Sequence, residues 1–265
     1  MRRMMLGAAA LAFGVWGCGG KSADNASAGS TASGSGAVAQ SGAAGPTGTA
    51  SVSGVIHFTG EAPPNPKIDM SQEAACKGKY TSTPTDPQYV VSGGKLGNVF
   101  VYVKSGLPNG ATYQAPATDV EIDQNGCLYH PRVFGVMTNQ KIRIKNSDAV
   151  LHNIKAVPAT NRGFNISQPS AGMTSERTFT QPEVMVPLEC NVHGWMHAWV
   201  GVLPHPFFAT ADSTGSFSIK NLPPGTYTIE AWHEKLGTQT QTVTVGAKET
   251  KDITFNFKVP AASTN

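Results

Sequence analysis

Charge is scarce in this chain: Asp, Glu, Lys and Arg make up only 14% of its 265 residues. Nor does the charge favour one sign. The formal +3 includes Arg2 and Arg3, and without them 18 basic side chains stand against 17 acidic ones. With no field of one sign to attract a polyanion, nucleic acid is not an expected partner. Long apolar runs are missing after residue 18, so no later segment reads as a membrane-spanning helix. Helix signals are almost missing too, confined to a brief stretch at residues 70–75. Cysteines number only four, Cys18, Cys76, Cys127 and Cys190. What is plentiful is glycine (29) and proline (18), which favours many turns over long helices. The apolar fraction of 40% is enough to bury a core.

Residues 1–18 have the form of an export signal. Arg2 and Arg3 precede an apolar stretch at residues 4–16, too short to span a bilayer and suited to a signal-peptide core. It ends in Val15, Trp16, Gly17 and Cys18, which resembles the bacterial lipobox with its lipidated cysteine. The alternative is an ordinary cleaved secretory signal with Cys18 incidental. Gly19 stands where inner-membrane lipoproteins carry a retaining aspartate, so the resemblance implies an outer-membrane anchor, with the protein facing the periplasm or the cell surface. In residues 19–50, 26 of 32 positions are Gly, Ala, Ser or Thr. Such a segment cannot offset its ordering entropy by burial, and reads as a flexible tether with a reach of roughly 30 Å.

From residue 51 onward the pattern is that of strands, and the expected class is all-β. Val99, Val101 and Val103 alternate with Phe100 and Tyr102, a run fit for a strand buried on both faces. Ile142 and Ile144, Phe217 and Ile219, Tyr227 and Ile229, and Phe255 and Phe257 each alternate with polar residues. Gly/Pro/Asn turn clusters at residues 92–94, 124–126 and 223–225 separate such runs, as in antiparallel sandwiches. Residues 212–233, with Pro223, Pro224 and Gly225 before a strand, resemble the carboxypeptidase regulatory-like (transthyretin-like) β module. The expected division is therefore a first domain at 51–203 and a short β module at 204–260. At some 50 to 60 residues that module is short for a complete sandwich, and packing onto the first domain's sheet is the expected remedy.

In an exported chain Cys76 and Cys127 read by default as a disulfide. Closing a loop of about 50 residues would contribute ~4 kcal/mol in the chain-entropy account. Cys190 is then left over. It stands with His193, Met196 and His197 within eight residues, and Asn146, Asp148, His152 and Asn153 form a second polar cluster upstream. Two imidazoles, a thiolate and a weak axial thioether suit a copper ion that changes oxidation state with little rearrangement. Val184, Val186 and Leu188 precede the loop, so one tight turn after a strand can supply three ligands and a distant strand end the fourth.

These two segments resemble those of the cupredoxin (plastocyanin-like) family, Greek-key β-sandwiches holding one type 1 copper. The Cys190, His193, Met196 spacing is similar to the short ligand loop of amicyanin. The resemblance implies His152, Cys190, His193 and Met196 as ligands, with Asn153 tying the two ligand loops together near the thiolate. His197 is the alternative axial ligand, and zinc the competing metal for a Cys-His-His set. A binuclear copper centre would need a second cysteine in the loop, and none is there.

The expectation is thus a membrane-tethered, non-enzymatic carrier of single electrons, meeting a cytochrome or an oxidase transiently through an apolar rim at His193. Trp195 and Trp199 would wall the centre from water. Two alternatives stay open: an envelope copper-binding or copper-delivery protein without redox cycling, and a surface scaffold or adhesion protein with a structural metal.

Overall fold

The structure, a computed structural model, describes residues 45–259. The export signal, Cys18 and most of the expected tether lie outside those residues. The last six tether positions are held in place. The Gly48 amide donates to the Asn221 carbonyl at 2.8 Å, and Ala50 is fully buried.

The chain begins with β1 (Ala50–Thr59), a helical turn α1 (Ala74–Lys77), β2 (Val91–Ser92), β3 (Lys95–Leu96) and β4 (Phe100–Ser105). Then come β5 (Val120–Asn125), β6 (Leu128–His130), β7 (Val133–Met137), β8 (Ile142–Asn146) and β9 (His152–Ala156). They are followed by β10 (Phe164–Gln168), β11 (Thr174–Arg177), β12 (Glu183–Glu189) and β13 (His197–Leu203). The last strands are β14 (Phe208–Thr210), β15 (Ser216–Leu222), β16 (Gly225–His233), β17 (Gly237–Val245) and β18 (Thr250–Lys258). The described chain is all-β apart from α1, which lies a few residues later than the helical signal at 70–75.

The strands form two sandwiches, and the chain passes from one to the other and back. One has sheets ordered β10-β9-β12-β13-β7 and β11-β8-β5-β6, all within residues 120–203. The other combines β15-β1-β3-β2, with β18 also on β1, and β14-β4-β16-β17. The expected division at 203/204 therefore does not follow the sheets. β1 runs antiparallel to β15 and parallel to β18, and β4 lies between β14 and β16. Strands from residues 50–105 complete the C-terminal module, and the segments that carry His152 and Cys190 fall in what is topologically an insertion. The physical reason is the shortage noted above: β14–β18 alone cannot cover two faces of a core.

Packing explains the run that reads as buried on both faces. Val101 and Val103 of β4 join a core with Ile56, Phe217, Ile229 and Phe255 between the two sheets of the second sandwich. Phe100 and Tyr102, on the opposite face, pack with Val133, Leu203, Phe208 and Trp199 against the first sandwich. There Gly135 and Gly201 are cross-strand partners, and a Cβ at Gly201 would fall 2.5 Å from the Phe100 ring. The missing side chains make room for that ring. Arg132 strengthens the joint by pairing with Asp86 at 2.5 Å and Glu234 at 2.5 Å while lying over Trp199.

An isolated hairpin is marginal in water, and without β1 and β4 only the β16–β17 hairpin and the ends of the module remain. A fragment of residues 204–260 is therefore expected to give a disordered far-UV circular dichroism spectrum. Cooperative folding of that fragment would contradict the dependence on β1 and β4.

Candidate metal centre

Two loops at one end of the first sandwich meet at the centre. The first, between β8 and β9, is fixed by Asn146. Its Nδ2 donates to the Val150 and Gln168 carbonyls at 3.0 and 2.9 Å, and its Oδ1 accepts from the Asp148 amide at 2.9 Å. Asp148, fully buried, accepts from the Gly126 and Cys127 amides at 3.0 and 2.7 Å and pairs with Lys79 at 2.7 Å. It also accepts from His152 Nε2 at 2.8 Å. Because a carboxylate only accepts, His152 carries its proton on Nε2 and turns the Nδ1 lone pair inward. Burial pushes the Asp148 carboxyl up, but Lys79, the Cys127 amide, His152 and the Gly126 amide outweigh it and hold the group below its ordinary value.

The second loop joins β12 to β13. The Cys190 amide donates to the Met196 carbonyl at 3.3 Å and the Met196 amide to the His193 carbonyl at 2.9 Å, closing residues 190–196 into a tight turn. Within it the His193 amide donates to Cys190 Sγ at 3.3 Å. His152 Nδ1 and His193 Nδ1 lie 3.0 Å apart, and Cys190 Sγ lies 3.9 Å from His193 Nδ1. One ligand atom from each of these three buried residues lies within 4.8 Å of the others. Burial raises the Cys190 thiol, but hydrogen bonds from the His193 side chain and from the His193, Asn153 and Val192 amides hold it below the ordinary thiol value. The donor set suits a soft or borderline cation such as copper or zinc.

Asn153 ties the loops together: its Oδ1 accepts from the Asn191 amide at 3.0 Å, and its Nδ2 donates to the Ile166 carbonyl at 3.1 Å. Met196 is fully buried in the same apolar cluster as Cys190. His197, the alternative axial ligand, points elsewhere. It opens β13, and its ring packs on Trp199, 6.2 Å between centroids, beside Arg132 and Glu234. Trp199 likewise serves the joint between the sandwiches rather than walling the centre. Trp195 does wall it, with its ring 5.0 Å from that of His193 and its Nε1 donating to the Cys127 carbonyl at 3.0 Å.

The Cys76–Cys127 disulfide is formed, which removes Cys127 from the Cys127, Asp148, His152 grouping as a ligand. His193, expected at an open apolar rim, is only 2% exposed. Its Nε2 faces Cys76 Sγ at 3.9 Å and Glu73 Oε2 at 3.8 Å. Tyr129 went unnoticed in the sequence. Its hydroxyl donates to the Asn153 carbonyl and reaches Cys190, and burial pushes its ionisation well above the usual tyrosine range. His205 and His233 have separate surroundings: one lies against Tyr113 and Phe207, the other against Tyr89 and Phe257. Burial lowers both to a pKa of about 4, so they are neutral.

Residues 203–258 match the carboxypeptidase regulatory-like domain. No match is found among the curated proteins. Solved structures show weak similarity to cupredoxins. A purple cupredoxin from Nitrosopumilus maritimus is 21% identical over 32% of this chain and 99% of its own, with a TM-score of 0.28. A copper(I) form of an amicyanin variant is 16% identical over 40% of this chain and 98% of its own, TM-score 0.29. The copper-containing nitrite reductase of Thermus scotoductus SA-01 is 18% identical over 37% of this chain and 25% of its own, TM-score 0.28.

A carboxyl depressed by folding adds stability that is complete above its unfolded value, near pH 4, and is lost as pH falls through its folded value. Between about pH 6 and about pH 3 the metal-free protein should lose stability to urea more steeply than its Asp148→Asn variant. Equal slopes would show that Asp148 is not held as described.

Proposed function

We propose that the protein is an exported, lipid-anchored, mononuclear type 1 copper protein that passes single electrons in the bacterial cell envelope and catalyses no reaction of its own. The observation that carries this reading is the buried trio of His152, Cys190 and His193, with ligand atoms within 4.8 Å of one another. Met196 in the same loop adds the thioether expected at a weak axial position. Bound copper would supply one-electron exchange at such a set.

The protein's part is to hold these donors still. Asp148 fixes the His152 tautomer, the Asn153 side chain fixes the ligand loop, and amide hydrogens at Cys190 Sγ stabilise thiolate. Rigid donors keep reorganisation small when an electron arrives or leaves. Copper leads over zinc because Met196 adds nothing for zinc. A lipid on Cys18 would hold the protein at the outer membrane, where a cytochrome or an oxidase would be its transient partner.

One observation favours a second reading, copper holding and delivery without cycling: the covered edge of His193, which removes the open rim that a docking partner would use. Copper titration followed by voltammetry separates the two. Electron transfer predicts one copper per chain and a reversible one-electron wave, both lost in Cys190→Ser. Tight Cu(I) binding with no reversible wave would move the assignment to delivery.

A further inference from the structure

The feature that neither the ligand motif nor the sandwich requires is the excursion at residues 67–85. It leaves and re-enters at a bridge between Lys67 and Thr85, where the Ile68 amide donates to the Pro84 carbonyl and the Asp86 amide to the Pro66 carbonyl. Its only helical element is the single turn α1. Ile68, Met70 and Cys76 pack with Cys127 in a small apolar cluster that meets the first sandwich's core through Trp195. The far end is fastened at three points: the Cys76–Cys127 disulfide, the Lys79–Asp148 pair at 2.7 Å, and the Tyr80 hydroxyl on the Gly126 carbonyl at 2.6 Å. All three fall on the β5–β6 turn or on Asp148. Through them Cys76 and Glu73 are held against the outer nitrogen of His193.

We propose that residues 67–85 are a thiol-released cover over the metal centre. With the disulfide formed, the cover closes the Nε2 edge of His193 to solvent and to partners. Both cysteines are fully buried in the closed form, so a dithiol reductant acts when the excursion opens locally at its hinge: one thiolate then attacks a cystine sulfur to give a mixed disulfide, and the second displaces the remaining cysteine. Cys76 and Cys127 gain two electrons and two protons, and the reductant becomes its own disulfide. The hinge is the Lys67–Thr85 bridge, and the small cluster with two polar ties is all that then holds the far end. What the cover regulates rests on the copper reading, whereas its presence over His193 does not.

The test uses the full chain without metal. Diethyl pyrocarbonate modifies imidazole nitrogen, and peptide mass spectrometry resolves each histidine. His197 is a partly exposed reference close in sequence, and the fully buried His152 reports that the fold is intact. In the disulfide-bonded chain His193 should react about tenfold or more slowly than His197, and Cys76→Ser/Cys127→Ser should raise its relative rate by about tenfold, the scale of a local opening. Ile68→Ala/Met70→Ala keeps the disulfide but loosens the cluster, and should raise the rate by a smaller factor. It decides the matter if the serine variant loses its far-UV circular dichroism. A His193 rate equal to that of His197 in the intact chain, or unchanged in the folded variants, would overturn the proposal. Because no copper is present, that failure is distinct from failure of the electron-transfer reading.

Discussion

Asp148 is the group on which the candidate metal centre depends. One buried carboxylate receives the two amides of the β5–β6 turn, the Lys79 ammonium and the His152 ring. It therefore joins three pieces of chain distant in sequence: the turn that carries Cys127, the excursion that carries Cys76 and Glu73, and the strand that begins with His152. A buried charge is tolerable only when its lone pairs are filled, and here the donors come from the β5–β6 turn, the excursion and β9.

The rest of the architecture gives this end a rigid base. β12 and β13 deliver the Cys190–Met196 loop, and the opposite end of β13 lies against β4 of the neighbouring sandwich. Phe100, set over the Gly135 and Gly201 pair, and Arg132, shared between Asp86 and Glu234, make that joint close-packed and charge-compensated. The carboxypeptidase regulatory-like segment thus shares its sheets with the chain's first strands. One compact body carries the centre, the cover and the module together.

Much of this could be read from residues alone, for reasons that differ by feature. The meeting of His152, Cys190 and His193 was legible because Cys190 and His193 share one short loop and a lone cysteine in an exported chain needs an explanation. The Cys76–Cys127 pairing followed from the same count. The direction of His197 was not legible, because Met196 closes the ligand turn and β13 begins only at His197. Which strands pair was not legible. β1 and β18 lie some 200 residues apart, and alternation reports a buried face without naming what buries it. Tyr129 and the covering excursion gave no signal: one comes to the thiol from β6, far away in sequence, and the other has almost no regular structure for periodicity to detect.

The central claim is that Cys190 binds a redox-active copper together with two imidazoles. Visible absorption and electron paramagnetic resonance of the Cu(II)-loaded protein, before and after ascorbate, test it most directly. The account predicts an intense thiolate-to-copper band with narrow copper hyperfine splitting, bleached by ascorbate, restored by reoxidation and missing in Cys190→Ala. A pale spectrum with ordinary wide splitting, unchanged in Cys190→Ala, would contradict it.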